Sequence, residues 1–195
     1  GMTAFVRQEE PYQTIWGVRS DGQLLSFTFD QTQKVRAWAR HILAGTDAVV
    51  EHVGVIPSTN GERDDLWLIV SRTINGGTYR YIEYLQTEHA TGDDQEDAKY
   101  ADAMLTYDST SATVLYGFDH LEGETVGVLQ DGASSPDVVV SNGEVTVASA
   151  AAVMQVGMRY TSIYASNNTD AGAKDGTSQG KTKRITDCAF RMVES

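Results

Sequence analysis

Along much of this chain apolar and polar residues alternate with period two, the spacing that sends successive side chains to opposite faces of a strand. Leu25, Phe27 and Phe29 alternate with Ser26, Thr28 and Asp30. Ile15-Trp16-Gly17-Val18 precedes them, joined through Ser20-Asp21-Gly22, and Asp-Gly between apolar runs predicts a hairpin turn. Residues 34–41 alternate around Val35, Ala37 and Ala39, with Trp38 on the other face, so residues 14–42 predict three antiparallel strands. Residues 49–56 predict another strand, ended by Pro57 and a polar loop over 58–65. Residues 66–70 are apolar on both faces, which suits the centre of a sheet. Asn75-Gly76-Gly77 turns the chain into 78–85, with Tyr79, Tyr81 and Glu83 on one face and Arg80, Ile82 and Tyr84 on the other.

Beyond residue 88 the composition changes. Asp93, Asp94, Glu96 and Asp97 make an acidic, turn-rich stretch, followed by a candidate short helix over 98–104. Strand character returns at 104–107 and 116–118. The segment 118–132, FDHLEGETVGVLQDG, then predicts a strand at Val126 and Val128 and a turn at Asp131-Gly132. Residues 138–140 and Val145 to Val147 flank Asn142-Gly143, the strongest short-range hairpin signal, because both turn positions take positive φ. Residues 148–153 are small and apolar, a helical turn or a connector, and 155–165 predicts a long strand. Residues 166–180 carry almost no apolar side chain and predict an exposed loop, with a closing strand over 182–193.

These elements predict a mainly β protein in two parts. Residues 2–88 form an antiparallel, blade-like region, 89–103 an acidic linker or short helix, and 104–195 a small β-barrel or β-sandwich. Trp16 and Trp67 each stand early in a strand that leads through a glycine-containing turn, a repeat of about 50 residues resembling propeller blades. Two blades do not close a propeller, so either the repeat is coincidental, or it is the remnant of a longer protein, or neighbouring subunits complete the sheet edges.

The order of motifs resembles tail proteins of bacteriophages, in the neighbourhood of the tubular or nozzle proteins of short-tailed phages. Residues 15–41 match a W-x-x-x-x-D-G-x-L core with an A-W-x-R-H ending; Leu66-Trp67, Arg72, Gly76 and Arg80 to Glu83 match the next segment. DHLEG at 119–123, followed by V-x-N-G, opens the C-terminal part. The resemblance implies a structural, non-catalytic virion component that assembles with other phage tail proteins and as a homo-oligomer. It would be made in the host bacterial cytoplasm and reside in the tail. It further implies that the chain corresponds to the C-terminal portion of longer relatives. A ligand- or glycan-binding module at a tail tip is the alternative.

Charge agrees with this class. The 195 residues carry 27 acidic and 15 basic side chains, formally −12, and specific nucleic-acid binding needs clustered cations instead. The short cluster Lys181-Thr182-Lys183-Arg184 suits the polar edge of a strand. An acidic wall past which DNA slides is one use of such a surface, and solubility is another. No apolar run approaches the ~18 residues of a membrane helix, and no secretory leader is visible; Gly1 before Met2 reads as a cleavage scar. The single cysteine, Cys188, excludes an internal disulfide and reads as a small buried residue.

Candidate chemistry is sparse, and no cofactor is expected. Asp119, His120 and Glu122 are the place to seek acid–base catalysis, but no nucleophile motif accompanies them. A structural role, with His120 bonded to a loop and Gly123 supplying a turn, is the reading adopted. His41, His52, His89 and His120 lack ligand spacing, and the acidic run 93–97 lacks the alternation of a calcium loop. Asn75-Gly76-Gly77 lacks the Lys and helix of a phosphate loop. Trp67, Tyr79, Tyr81 and Tyr84 are the candidate interface or ligand aromatics, with a subunit interface preferred over a sugar platform.

Overall fold

The computed structural model describes residues 1–165. The loop expected over 166–180, the cluster Lys181 to Arg184, the closing strand and Cys188 lie outside the described residues. Gly1–Thr161 is one compact unit; the second unit, Ser162–Ser195, has no regular secondary structure in its described residues. The protein is mainly β, and no α-helix occurs among the described residues.

The first sheet is an up-and-down meander of β1 (Met2–Gln8), β2 (Thr14–Arg19), β3 (Leu24–Asp30) and β4 (Val35–His41), paired in that order. Such a four-stranded meander is the strand order of a propeller blade. The second sheet is β5 (Thr46–Pro57), β6 (Asp64–Ile74) and β7 (Gly77–Tyr84), with β6 central as its apolar run requires. The two sheets stack as a sandwich over Trp16, Val18, Leu24, Val50, Val53, Leu66, Leu68 and Val70. Asp64 fastens its open end, its carboxylate accepting from the Glu9 and Glu10 amides at 2.8 and 3.2 Å. Gly22 fastens the other side. Its φ of +81° suits the turn, its carbonyl accepts from Val50 at 2.9 Å, and a Cβ there would lie 2.4 Å from the Val49 Cβ.

The third sheet takes the order β10-β9-β11-β8, from β8 (Asp102–Tyr116), β9 (Thr125–Gln130), β10 (Ala133–Val139) and β11 (Glu144–Met158). Both expected hairpin turns form, with positive φ at Asp131 and Gly132 and at Asn142 and Gly143. Among the described residues β8 and β10 are edges, so this sheet is open and sandwich-like there, and no closed barrel is found among them. Register shifts between Thr146 and Ala151 kink β11 against β8, as bulges do. Both halves of β11 therefore reach one core, Val145 and Val147 from the first, Met154 and Val156 from the second.

The structure fixes the faces of β3 and corrects two expectations. The alternation in β3 forms a strand, but its buried face carries Leu24 and Ser26, while Leu25, Phe27 and Phe29 face outward. The helix proposed over 98–104 is replaced by a single 3-10 turn at Gln95–Asp97, and β8 starts at Asp102. Residues 148–153 continue β11 as strand, because β8 supplies the pairing that Ala and Ser cannot demand by propensity.

The two cores meet at Arg72, whose side chain is 0% exposed. Its guanidinium pairs with Glu83, one nitrogen donating to Oε2 at 3.0 Å, and its Nε donates to the Ala44 carbonyl at 3.1 Å. The same Ala44 donates its N–H to Asp102 Oδ2 at 2.6 Å. Removing one partner of a buried, fully bonded ion pair strands the other charge, at a cost of about 3–5 kcal/mol. Arg72→Ala is therefore expected to lower the unfolding free energy by about that amount in urea titration. A loss under about 1 kcal/mol would show that the pair is not a structural pin.

Candidate functional site

The 119–123 segment is built as a fastener. Phe118, just before the 3-10 turn Asp119–Leu121, and Leu121, its last residue, are buried and anchor it in the second core. His120 Nε2 lies 2.9 Å from the Ala103 carbonyl, which fixes the proton on that nitrogen. Glu122 accepts from the Asn142 and Gly143 amides at 3.0 and 2.8 Å, so its carboxylate caps the Asn-Gly turn. Gly123, at φ +79°, donates its N–H to Val140 at 3.0 Å. The structural reading of this motif agrees with the geometry: His120 and Glu122 serve different partners and do not form an acid–base pair.

The four candidate aromatics separate onto two faces of the second sheet. Trp67 and Tyr84 are cross-strand partners, ring centroids 5.1 Å apart, on the outer face. Ile69 and Ile82 are the next pair along, and Ile82 is 75% exposed. A Cβ built on Gly54, opposite Trp67, would meet nothing within 4 Å, so this face is open. Tyr81 points the other way, its hydroxyl donating to the His120 carbonyl at 3.2 Å while its ring packs on the second core. Tyr79 shares the Tyr81 side but is exposed. A single platform of Trp67, Tyr79 and Tyr81 does not form.

A second aromatic surface was missed by sequence reasoning. On the outer face of the first sheet, Trp38 packs on Phe27 at 4.7 Å, and Arg36 lies over the Phe29 ring at 5.5 Å. Trp38 is 61% and Phe5 76% exposed on the same side. Its signal lay in the pairing of Leu25, Phe27 and Phe29 with Arg40, Trp38 and Arg36, whose shared direction the alternation already implied.

The acidic run borders a polar cleft of about 490 Å³ lined by Glu88, His89, Asp93, Asp94, Asp97 and Lys99. Asp93 accepts from the Ala90 amide at 2.8 Å, closing a local turn. Among the described residues no group of three or more His, Cys, Asp or Glu could hold a metal ion. No helix among them is long and apolar enough to cross a membrane.

Burial displaces four titratable groups, raising Tyr81 and Tyr160 as well as shifting His41 and Asp102. His41 sits below its ordinary range because it is desolvated; its Nε2 lies 2.8 Å from Ser26 Oγ, and its ring lies 5.0 Å from that of Trp16. Asp102 is raised, chiefly by desolvation, against the opposing pull of the Ala44 N–H and Arg72, while Glu83 adds to the rise. No protein-family model matches the chain, and no curated protein does.

The Asp102 shift has a definite sign. The folded state holds this proton more tightly than the unfolded chain, so the group withdraws stability as pH rises from its ordinary value through its raised one. Asp102→Asn keeps the acceptor for Ala44 and removes the titration. Its unfolding free energy relative to the parent is expected to rise between about pH 4 and pH 7 in urea melts. A difference that falls over that range would refute the assignment.

Proposed function

We propose that this chain is a non-catalytic structural component of a phage or prophage tail that assembles with copies of itself and with other tail proteins. One observation carries the assembly reading: the outer face of the second sheet presents Trp67, Tyr84, Ile69 and Ile82 side by side. Exposed apolar clusters of this kind mark contact sites, and Tyr and Trp are the residues interfaces favour. At one margin Arg80 is already paired with Glu51 at 2.8 Å, so the neighbouring charge is internally balanced. The order of sequence motifs supports the tail assignment, and with it a place in the virion after assembly in the host cytoplasm. In this reading rigid sheets set subunit geometry, and the acidic surface discourages DNA adhesion.

The glycan-binding alternative would use the same Trp67–Tyr84 pair. Its rings are tilted by 33° with isoleucines beside them, and the Tyr84 hydroxyl already accepts from Gln86 Nε2 at 2.6 Å, which favours protein contact.

Light scattering after size exclusion, across a range of concentrations, tests the proposal. A discrete oligomer is expected, and Ile82→Lys, at an exposed position, should convert it to monomer without changing the circular dichroism. A monomer at every concentration, with glycan binding lost in Trp67→Ala, would overturn self-assembly and establish the alternative.

A further inference from the structure

We propose that β4 is a docking edge for an extended acidic segment of a different protein, which adds to the first sheet beside it. β4 is the terminal strand of its sheet, and from Val35 to Arg40 every residue is exposed. Val35, Ala37 and Ala39 lie on the inner side of the sheet, yet they too are exposed, because the second sheet does not reach beneath them. Among the described residues no strand pairs with its outer edge, so a row of backbone donors and acceptors stands free.

Charge identifies the partner. Arg7, Arg19, Arg63, Arg72, Arg80 and Arg159 each have a carboxylate within ion-pair distance. Of the four Lys and Arg side chains with none among the described residues, Lys99 lies apart beside the acidic run, and Lys34, Arg36 and Arg40 stand together, although the chain is formally −12. They cluster on β4 and the turn before it. Arg36 and Arg40 flank Trp38 on the outer face, and Trp38 and Arg36 rest on Phe27 and Phe29. The surface offered to an added strand is a supported indole between two guanidiniums. Its complement has carboxylates four residues apart on one face, with an apolar residue midway.

A charged edge also guards against aggregation, and here both roles coincide. Antiparallel pairing of two β4 strands about Trp38 would set Arg36 opposite the partner's Arg40, twice. Like charges directly opposed are destabilising, so copies are rejected in that register while an acidic strand is accepted. This surface is distinct from the Trp67–Tyr84 face, and the two are tested separately.

The test is fluorescence anisotropy on the full chain with a labelled strand-forming peptide of Thr and Val carrying two Glu four residues apart. Saturable binding is expected, weakened about tenfold or more by R36E together with R40E, whose exposed side chains are not needed for folding. The double variant should in turn bind the peptide with Lys in place of Glu. N-methylation of alternate backbone amides on the pairing side of the peptide should abolish binding. Binding that survives N-methylation would overturn strand addition. So would equal binding of the Lys peptide to the parent chain, tighter binding of a single-stranded oligonucleotide, or no peptide binding at all. Oligomerisation is read by light scattering in the same samples. An oligomer that ignores the peptide refutes the docking edge alone, and a monomer that binds it supports the docking edge while refuting self-assembly.

Discussion

Arg72 is the constraint on which the arrangement of the strands depends. A guanidinium cannot shed its charge, so burying it obliges the fold to supply acceptors around its fork. Glu83 comes from the adjacent strand, four positions beyond the cross-strand partner Tyr79, so the arginine stem runs along β7 to reach it. The Ala44 carbonyl comes from the connection between β4 and β5, which must pass close to β6 to provide it. That passage sets the Ala44 N–H against Asp102 at the first residue of β8. One residue thus ties the second sheet to the start of the third. The surrounding apolar residues divide accordingly, Val70 into the first core and Ala44 and Ile74 into the second.

Turns were the most legible part of the sequence, for a local reason. Asn75-Gly76, Asp131-Gly132 and Asn142-Gly143 all adopt positive φ, a backbone demand that few residues satisfy and that needs no tertiary partner. Faces were less legible. Alternation in β3 shows that Leu25, Phe27 and Phe29 share a side, but the side chosen for burial depends on Trp16, Val18 and the sheet stacked on them. The larger aromatic set stayed outside, and Ser26 went in with His41 as its hydrogen-bond partner. Residues 148–153 were illegible for a related reason: their strand state is imposed by β8.

The motif at 119–123 shows how a site-like sequence becomes structure. His, Asp and Glu in close succession are the residue types of acid–base chemistry, and sequence spacing alone leaves both roles open. Geometry distributes them instead. His120 is drawn to Ala103 at the start of β8, Glu122 to the turn before β11, and the His120 carbonyl receives Tyr81 from β7. Polar side chains are used here because the segment must bind backbone amides and carbonyls from several strands at once. Apolar residues could fill the same space but leave those groups unpaired.

The surface carries the opposite lesson, that of groups left unsatisfied. Within the described residues most arginines are neutralised where they stand, which keeps the acidic excess spread over the rest of the molecule. Cations on β4 escape this because no acidic strand lies beside them: β3 offers Leu25, Phe27 and Phe29 to that face. An aromatic floor lowers the local dielectric without supplying a counter-charge, so an arriving carboxylate meets a stronger field there than at a solvated arginine. The long-range field of an acidic chain opposes that arrival, and salt screens it beyond about 10 Å while the short contact survives. Association at β4 would therefore be slow at low ionic strength and governed by contact once screened. A partner surface presenting a few carboxylates on an otherwise neutral strand meets both conditions better than a highly acidic one.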